Sequence, residues 1–195
     1  MQEGEDPRYV KAAATLKHFS VYNVEGKASN HTRHSLDAVT TKRDLQETYW
    51  PAFKAAIQLG NAKGIMCSYN AVNGVPSCAN PEMQNLLLRK RWGFNGYITG
   101  DSGAVEDIYT AKDAAHPGHG FTETPEAGVA AALNAGTDMA SSLKLGDHAT
   151  GSPYTWFGAD AVSLGLVQPA IIDQAVSRTL RLRFQLGLMD PVADQ

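Results

Sequence analysis

Short apolar segments alternate with helix-forming segments four times along this chain of 195 residues. The apolar segments cover residues 10–19, 64–70, 96–100 and 135–139, and each is typical of a buried strand bounded by turn-forming residues. The first helical segment, residues 41–59, opens with a Thr-Lys-Arg-Asp capping sequence and is interrupted by Pro51. Strands separated by helices require crossover connections, so the sequence predicts an α/β fold with a parallel sheet.

Further helices are predicted after each later strand. Asn80-Pro81-Glu82 and Thr124-Pro125-Glu126 each place a capping residue before a proline at the first helical position. The first of these opens an amphipathic segment, and the second opens a helix that ends at Ala135. In the C-terminal part of the chain the sequence predicts a short helix near residues 159–164 and a long helix over residues 169–186. Gly187 is predicted to end the long helix.

The third apolar segment carries one carboxylate into a turn flanked by glycines. It runs Gly96-Tyr97-Ile98-Thr99-Gly100-Asp101-Ser102-Gly103. Tyrosine, isoleucine and threonine favour a pleated backbone, and the glycines permit a sharp turn or the close approach of a ligand. Asp101 is therefore predicted at the carboxyl end of a parallel strand, where α/β folds place functional residues. The alternative at this point is that Asp101 caps the next helix.

Polar groups follow all four strands: Lys17 and His18, Tyr69 and Asn70, Asp101, and Asp138. One carboxylate among hydroxyl-binding donors suits a covalent glycosidase acting on a polyhydroxylated ligand. A barrel aldolase with Lys17 as its Schiff-base lysine and a non-catalytic sugar-binding module stay open on this evidence. For Asp138 a structural bond to a neighbouring main chain is favoured. His31, Arg33 and His34, in the polar segment 20–40, are further candidates, although each alone is typical of a solvated loop.

The composition of the chain argues against several classes of binding partner. A net charge of −3 without runs of lysine or arginine disfavours nucleic acid and anionic membranes. No apolar run approaches the roughly 18 residues of a membrane span, and the acidic first six residues do not form a signal peptide. No nucleotide-binding glycine motif occurs, and His116 and His119 share no zinc spacing with a third ligand. We therefore predict a small neutral substrate, no cofactor and no metal.

Five ordered motifs resemble glycoside hydrolase family 3, and especially its β-xylosidase-like members. They are Lys-His-Phe at 17–19, Met-Cys-Ser-Tyr-Asn-Ala-Val-Asn-Gly-Val-Pro at 66–76, Gly-Tyr-Ile-Thr-Gly-Asp at 96–101, Ala-Gly-Thr-Asp-Met at 135–139 and Leu-Gly-Leu-Met-Asp-Pro at 186–191. The resemblance implies a (β/α)8 TIM-type barrel and retaining hydrolysis of terminal non-reducing β-linked sugars. It favours a β-1,4-xylosidase that degrades xylan, with β-glucosidase and α-L-arabinofuranosidase as alternatives.

The resemblance also implies roles for individual residues. Asp101 matches the nucleophile, Lys17 and His18 match donors to sugar hydroxyls, and Met66 and Tyr69 match residues lining the same subsite. Cys67 and Cys78 resemble a family disulfide pair, which two cysteines alone would not establish. The chain departs from the family at Gly-Asp-Ser, where Ser-Asp-Trp or Ser-Asp-Cys is usual, and this difference bears on sugar preference.

The resemblance implies that residues 1–195 are the C-terminal portion of the barrel domain, without the first strands or the following α/β domain. That second domain usually supplies the general-acid glutamate, and nothing in the sequence marks a substitute among Glu25, Glu106, Glu123 and Glu126. We expect the chain alone to turn over natural substrates weakly or not at all. Open strand edges predict self-association. Full-length relatives are expected to be secreted, although this chain carries no signal peptide.

Overall fold

A computed structural model of the chain describes residues 2–28, 31–113, 117–141 and 151–191. The strands in these ranges are β1 (Thr15–Phe19), β2 (Lys27–Ala28), β3 (His31–Thr32), β4 (Asp37–Ala38), β5 (Gly64–Cys67), β6 (Ala71–Val72), β7 (Val75–Pro76) and β8 (Tyr97–Gly100). The α-helices are α1 (Lys42–Asp44), α2 (Pro51–Gln58), α3 (Glu106–Tyr109), α4 (Pro125–Ala135), α5 (Pro153–Ser163) and α6 (Pro169–Gln185). Two wider, π-type helices cover Leu45–Tyr49 and Glu82–Arg91, and Ser77–Ala79 forms a 3-10 turn. No helix within the described ranges is long and apolar enough to cross a membrane.

The central sheet is parallel, with strand order β1-β5-β8. Helices α1 and α2 lie on the crossover from β1 to β5, and the π-type helix Glu82–Arg91 lies on the crossover from β5 to β8. The small strands form an antiparallel hairpin of β2 with β3 and a mixed sheet in the order β4-β6-β7. The predicted α/β fold with parallel strands and crossover helices is confirmed, and the sheet is open rather than closed.

The two faces of the central sheet differ in burial. Ile65 and Ile98 are opposite each other in β5 and β8, are fully buried, and belong to the core together with Phe19. The next pair, Met66 opposite Thr99, points to the other face because side chains alternate along a strand, and both residues are only half-buried. One face is therefore covered by helices, whereas the other remains accessible.

The fourth strand predicted at 135–139 is reduced to a single bridge between Thr99 and Met139. The cause is Asp138, whose carboxylate accepts a hydrogen bond from the Ile98 main-chain nitrogen at 2.8 Å, in place of a main-chain acceptor. The same carboxylate pairs with Arg89 at 2.7 Å and with Arg178 at 2.8 Å, and its side chain is 1% exposed. The structural role predicted for Asp138 is confirmed.

The helix boundaries follow the capping signals in the sequence. Thr41 Oγ1 accepts the Asp44 main-chain N–H at 3.1 Å, and Asn80 Oδ1 accepts that of Met83 at 3.1 Å. Pro51 begins α2, so the predicted helix 41–59 is divided there as expected. Helix α6 agrees with its prediction within one residue at its end, whereas α5 begins at Pro153, earlier than predicted.

Candidate active site

Main-chain contacts at the end of β8 hold Asp101 in place. The Asp101 N–H donates to the carbonyl of Cys67, the last residue of β5, at 3.2 Å. Cys67 is joined to Cys78 by a disulfide, which confirms the pairing implied by the resemblance. Gly100 lies against this bridge, since a Cβ at that position would be 3.7 Å from Cys78 Sγ and 3.3 Å from Val105 Cγ2. The backbone immediately before Asp101 is thus packed closely against the disulfide and Val105.

The Asp101 carboxylate faces His18 at the end of β1. Asp101 Oδ2 lies 3.0 Å from His18 Nε2, and the two side chains are 16% and 22% exposed. The other oxygen, Oδ1, accepts the main-chain N–H of Ser102 at 2.8 Å. Helix α3 begins later, at Glu106, and Asp101 does not cap it. The carboxylate is therefore partly open to a ligand and is oriented by His18 from β1 and by the main chain of Ser102.

Tyr69, which follows β5, completes this group of side chains. Its ring is buried, with 4% exposure, and its hydroxyl interacts with the Asp101 carboxylate. Burial raises the pKa of Tyr69, and the negative charge of Asp101 raises it further. Tyr69 therefore keeps its proton at neutral pH and can donate it in a hydrogen bond to Asp101 or to a ligand hydroxyl.

Lys17 and Met66 lie on the strands beside this group. Lys17 is exposed on β1, immediately before His18. Met66 is half-buried on β5, where it pairs with Thr99, two residues before Asp101. Of the residues predicted for the site, the structure brings His18 and Tyr69 directly to Asp101 and places Lys17 and Met66 on the neighbouring strands.

A second set of polar side chains surrounds His18. The Tyr22 ring centroid lies 4.7 Å from that of His18, and the Tyr22 hydroxyl donates to Glu25 Oε2 at 3.0 Å. This hydrogen bond lowers the pKa of Glu25, and the nearby Arg33 guanidinium lowers it further. Glu25 is therefore a poor proton donor at neutral pH. Sequence reasoning missed Tyr22, because a loop residue without periodic neighbours gives no signal.

A histidine–aspartate pair lies on the far side of Tyr69. His34 Nδ1 is 2.8 Å from Asp107 Oδ2, and the His34 ring centroid is 4.2 Å from that of Tyr69. Burial raises the pKa of Asp107 to about 6. The one sequence signal for Asp107 is its position between the apolar residues Val105 and Ile108, with which it is buried.

His119 binds main chain, with Nε2 2.8 Å from the Tyr69 carbonyl oxygen, and burial lowers the pKa of this imidazole. His116, the other histidine considered for zinc, lies outside the described residues. Within the part of the chain that the structure describes, no three potential metal-binding side chains of the His, Cys, Asp or Glu type cluster.

The chain is similar to known proteins in sequence and in fold. Residues 1–182 match the family model for the glycosyl hydrolase family 3 N terminal domain. The whole chain is 36% identical to a probable exo-1,4-β-xylosidase of Aspergillus terreus and covers 24% of that protein. The chain thus spans about a quarter of the length of the curated relatives it matches.

Solved structures show the same relationship. The GH3 exo-β-xylosidase XlnD, in complex with a xylobiose aziridine activity-based probe, matches with a TM-score of 0.84 and 36% identity over 97% of this chain and 23% of that one. A β-glucosidase from Listeria innocua matches with a TM-score of 0.73 and 28% identity over 90% of this chain and 21% of that one. The open parallel sheet is therefore part of a TIM-type barrel, as the resemblance implied, and the chain belongs to glycosyl hydrolase family 3.

Proposed function

We propose that this chain forms the nucleophile-bearing part of a glycoside hydrolase that removes terminal non-reducing β-1,4-linked xylose. The observation that carries the proposal is the position of Asp101, which ends a parallel strand with His18 Nε2 at 3.0 Å and Tyr69 beside it. An anionic carboxylate flanked by hydrogen-bond donors is the arrangement that covalent glycosidases require.

In the proposed mechanism, the Asp101 carboxylate attacks the anomeric carbon as the bond to the leaving-group oxygen breaks. A glycosyl ester on Asp101 results, and attack by water then releases the sugar with retained configuration. His18 and Tyr69 orient the carboxylate and the sugar, while Lys17 donates to a sugar hydroxyl and Met66 lines the same subsite. Each of these roles is part of the proposal.

The leaving-group oxygen also needs a proton. Hydrogen bonding lowers the pKa of Glu25, and Glu106 is buried with 3% exposure, so neither is suited to protonate a leaving group at neutral pH. General-acid assistance contributes about 10²- to 10⁴-fold for ordinary glycosides. Aryl glycosides with good leaving groups need less of it, so we expect this chain to act on them better than on xylobiose.

Xylose is favoured over glucose by the relatives described above. The xylosidases among them are 36% identical to this chain, whereas the Listeria β-glucosidase is 28% identical. Hydrolysis of β-glucosides is therefore the second candidate function.

The test is covalent trapping of the nucleophile. The chain is incubated with the 2,4-dinitrophenyl 2-deoxy-2-fluoro derivatives of β-xylose and β-glucose, which can form a glycosyl ester without help from an acid, and is then analysed by intact mass and peptide mapping. We expect the xylose label on Asp101 and none in Asp101→Asn. A glucose label alone would establish the second candidate. Absence of any label in folded protein would favour a sugar-binding module or an inactive fragment.

A further inference from the structure

Asp107 is a buried carboxylate that the proposed mechanism does not use. It lies on α3, with a side chain that is 7% exposed, and its polar partner is His34 at 2.8 Å. Burying a carboxylate away from water is unfavourable unless it is hydrogen-bonded. The hydrogen bond to His34 therefore indicates the role of the Asp107 carboxylate.

The hydrogen bonds of His34 define its tautomer. Arg33 Nε lies 3.3 Å from His34 Nε2, and because a guanidinium can only donate, Nε2 must accept and carry no proton. The proton is then on Nδ1, which donates to Asp107 Oδ2. The Asp107 carboxylate thus fixes both the orientation of the ring and the position of its proton, and His34 in turn orients Arg33.

Both His34 and Arg33 pack against Tyr69. The His34 ring centroid is 4.2 Å from the Tyr69 ring, and the Arg33 guanidinium carbon is 4.8 Å from the same ring. The second contact is a cation–π interaction, which holds a ring in one place. His119 holds the main chain of Tyr69 through its carbonyl. The ring is therefore held by two neighbouring residues and the main chain by His119 from a distant segment, and the Asp101 carboxylate is close enough to raise the pKa of the Tyr69 hydroxyl.

We propose that Asp107, His34 and Arg33 form a Tyr69 support network, a hydrogen-bonded series that positions the Tyr69 hydroxyl beside the nucleophile. Asp107 and His34 are positioning residues, because they act through Arg33 and Tyr69 and do not touch Asp101. The inference rests on the proposed role of Asp101. It deepens that proposal by naming the residues that set the geometry of the subsite.

Protonation should weaken the network as the pH falls. Below about pH 6 the Asp107 carboxylate takes up a proton and becomes a weaker acceptor for His34 Nδ1–H. The position of the Tyr69 ring should therefore change in the same pH range. The titratable and charged groups that face this network are Glu25 and Tyr22, which contact Arg33, and Glu106, His119 and Asp101.

The first readout is fluorine NMR of the chain labelled with 3-fluorotyrosine. The Tyr69 resonance is assigned by its absence in Tyr69→Phe. We expect its shift to change with a midpoint near pH 6 in the wild-type chain, to lose that step in Asp107→Asn, and to keep it in the control Asp113→Asn, at an exposed aspartate. If the change in the Tyr69 fluorine shift near pH 6 persists in Asp107→Asn, protonation of Asp107 does not move Tyr69. That result would overturn the inference.

The second readout is the rate at which the 2-fluoro xyloside labels Asp101 at neutral pH. Misplacement of a positioning group by about 1 Å can cost roughly 10²-fold. We expect His34→Leu and Asp107→Leu to slow labelling about 10- to 100-fold, and the double variant to be no slower than the slower single variant, because the residues act in series. Rates within about twofold of wild type, with an unchanged Tyr69 resonance, would refute the network while leaving the nucleophile assignment intact. If no form of the chain is labelled, the proposed function fails, and the fluorine titration alone decides whether Tyr69 is positioned by the network.

Discussion

Replacing Asp107 by asparagine should make this protein more stable at neutral pH and leave its stability nearly unchanged near pH 4. Asparagine has almost the same shape as aspartate, and its side-chain oxygen can still accept the Nδ1–H of His34. The substitution therefore removes the titratable charge of a side chain that is 7% exposed and preserves its main hydrogen bond.

The magnitude follows from the change in the pKa of Asp107 on folding. Burial raises it from the ordinary value of 3.8 to about 6. Between these values the folded protein binds more protons than the unfolded chain, so the free energy of unfolding falls as the pH rises. A rise of roughly two pKa units corresponds to about 3 kcal/mol, present in full below pH 4 and lost above pH 6.

The assay is urea denaturation at intervals from pH 4 to pH 8, followed by tryptophan fluorescence. The difference in unfolding free energy between Asp107→Asn and the wild type should grow by about 3 kcal/mol across this range. Asp113→Asn, at an exposed aspartate, controls for the change in net charge. Parallel stability curves for wild type and Asp107→Asn would show that the carboxylate ionises as easily in the folded protein as in the unfolded chain, and the reasoning would be refuted.

Three further predictions concern the stability and assembly of the chain. Asp138→Ala should lower the unfolding free energy in urea by about 3 to 5 kcal/mol, since it removes the buried carboxylate that pairs with the partly buried Arg89 and Arg178. A loss below about 1 kcal/mol would contradict the structural role of this residue. Replacing Cys67 and Cys78 together by serine should lower the free energy of unfolding by about 3 kcal/mol, because the disulfide closes a loop with a sequence separation of 11. Equal stability of the oxidised and reduced wild-type chain would contradict this prediction. We also propose that the chain self-associates through the accessible face of the central sheet. Sedimentation should then show oligomers of the wild-type chain, and Met66→Lys and Met139→Lys should disrupt them. A monodisperse wild-type monomer would contradict this proposal.

The local architecture could be predicted from the sequence because its signals are local. Strand and helix periodicity, the caps at Thr41 and Asn80, and the proline at position 51 each depend on residues within a few positions of one another. The position of Asp101 at the end of a strand follows from the same kind of signal. Five short motifs were enough to identify the family, since each preserves a run of neighbouring residues.

The environment of the nucleophile was decided by tertiary structure. Tyr69 is held by Arg33 and His34 from one loop and, through His34, by Asp107 from a helix that follows another strand. These segments meet only because parallel strands align their carboxyl ends at one edge. The shortened fourth strand has a similar origin, because the Asp138 carboxylate takes the place of a main-chain acceptor for Ile98. The sequence by itself thus determined the three central parallel strands, most of the helices and the carboxylate at the strand end, whereas the small strands of segments 27–38 and 71–76 were not predicted. Only the folded chain determined which distant side chains surround that carboxylate, because such contacts depend on how the crossovers pack and leave no periodic trace.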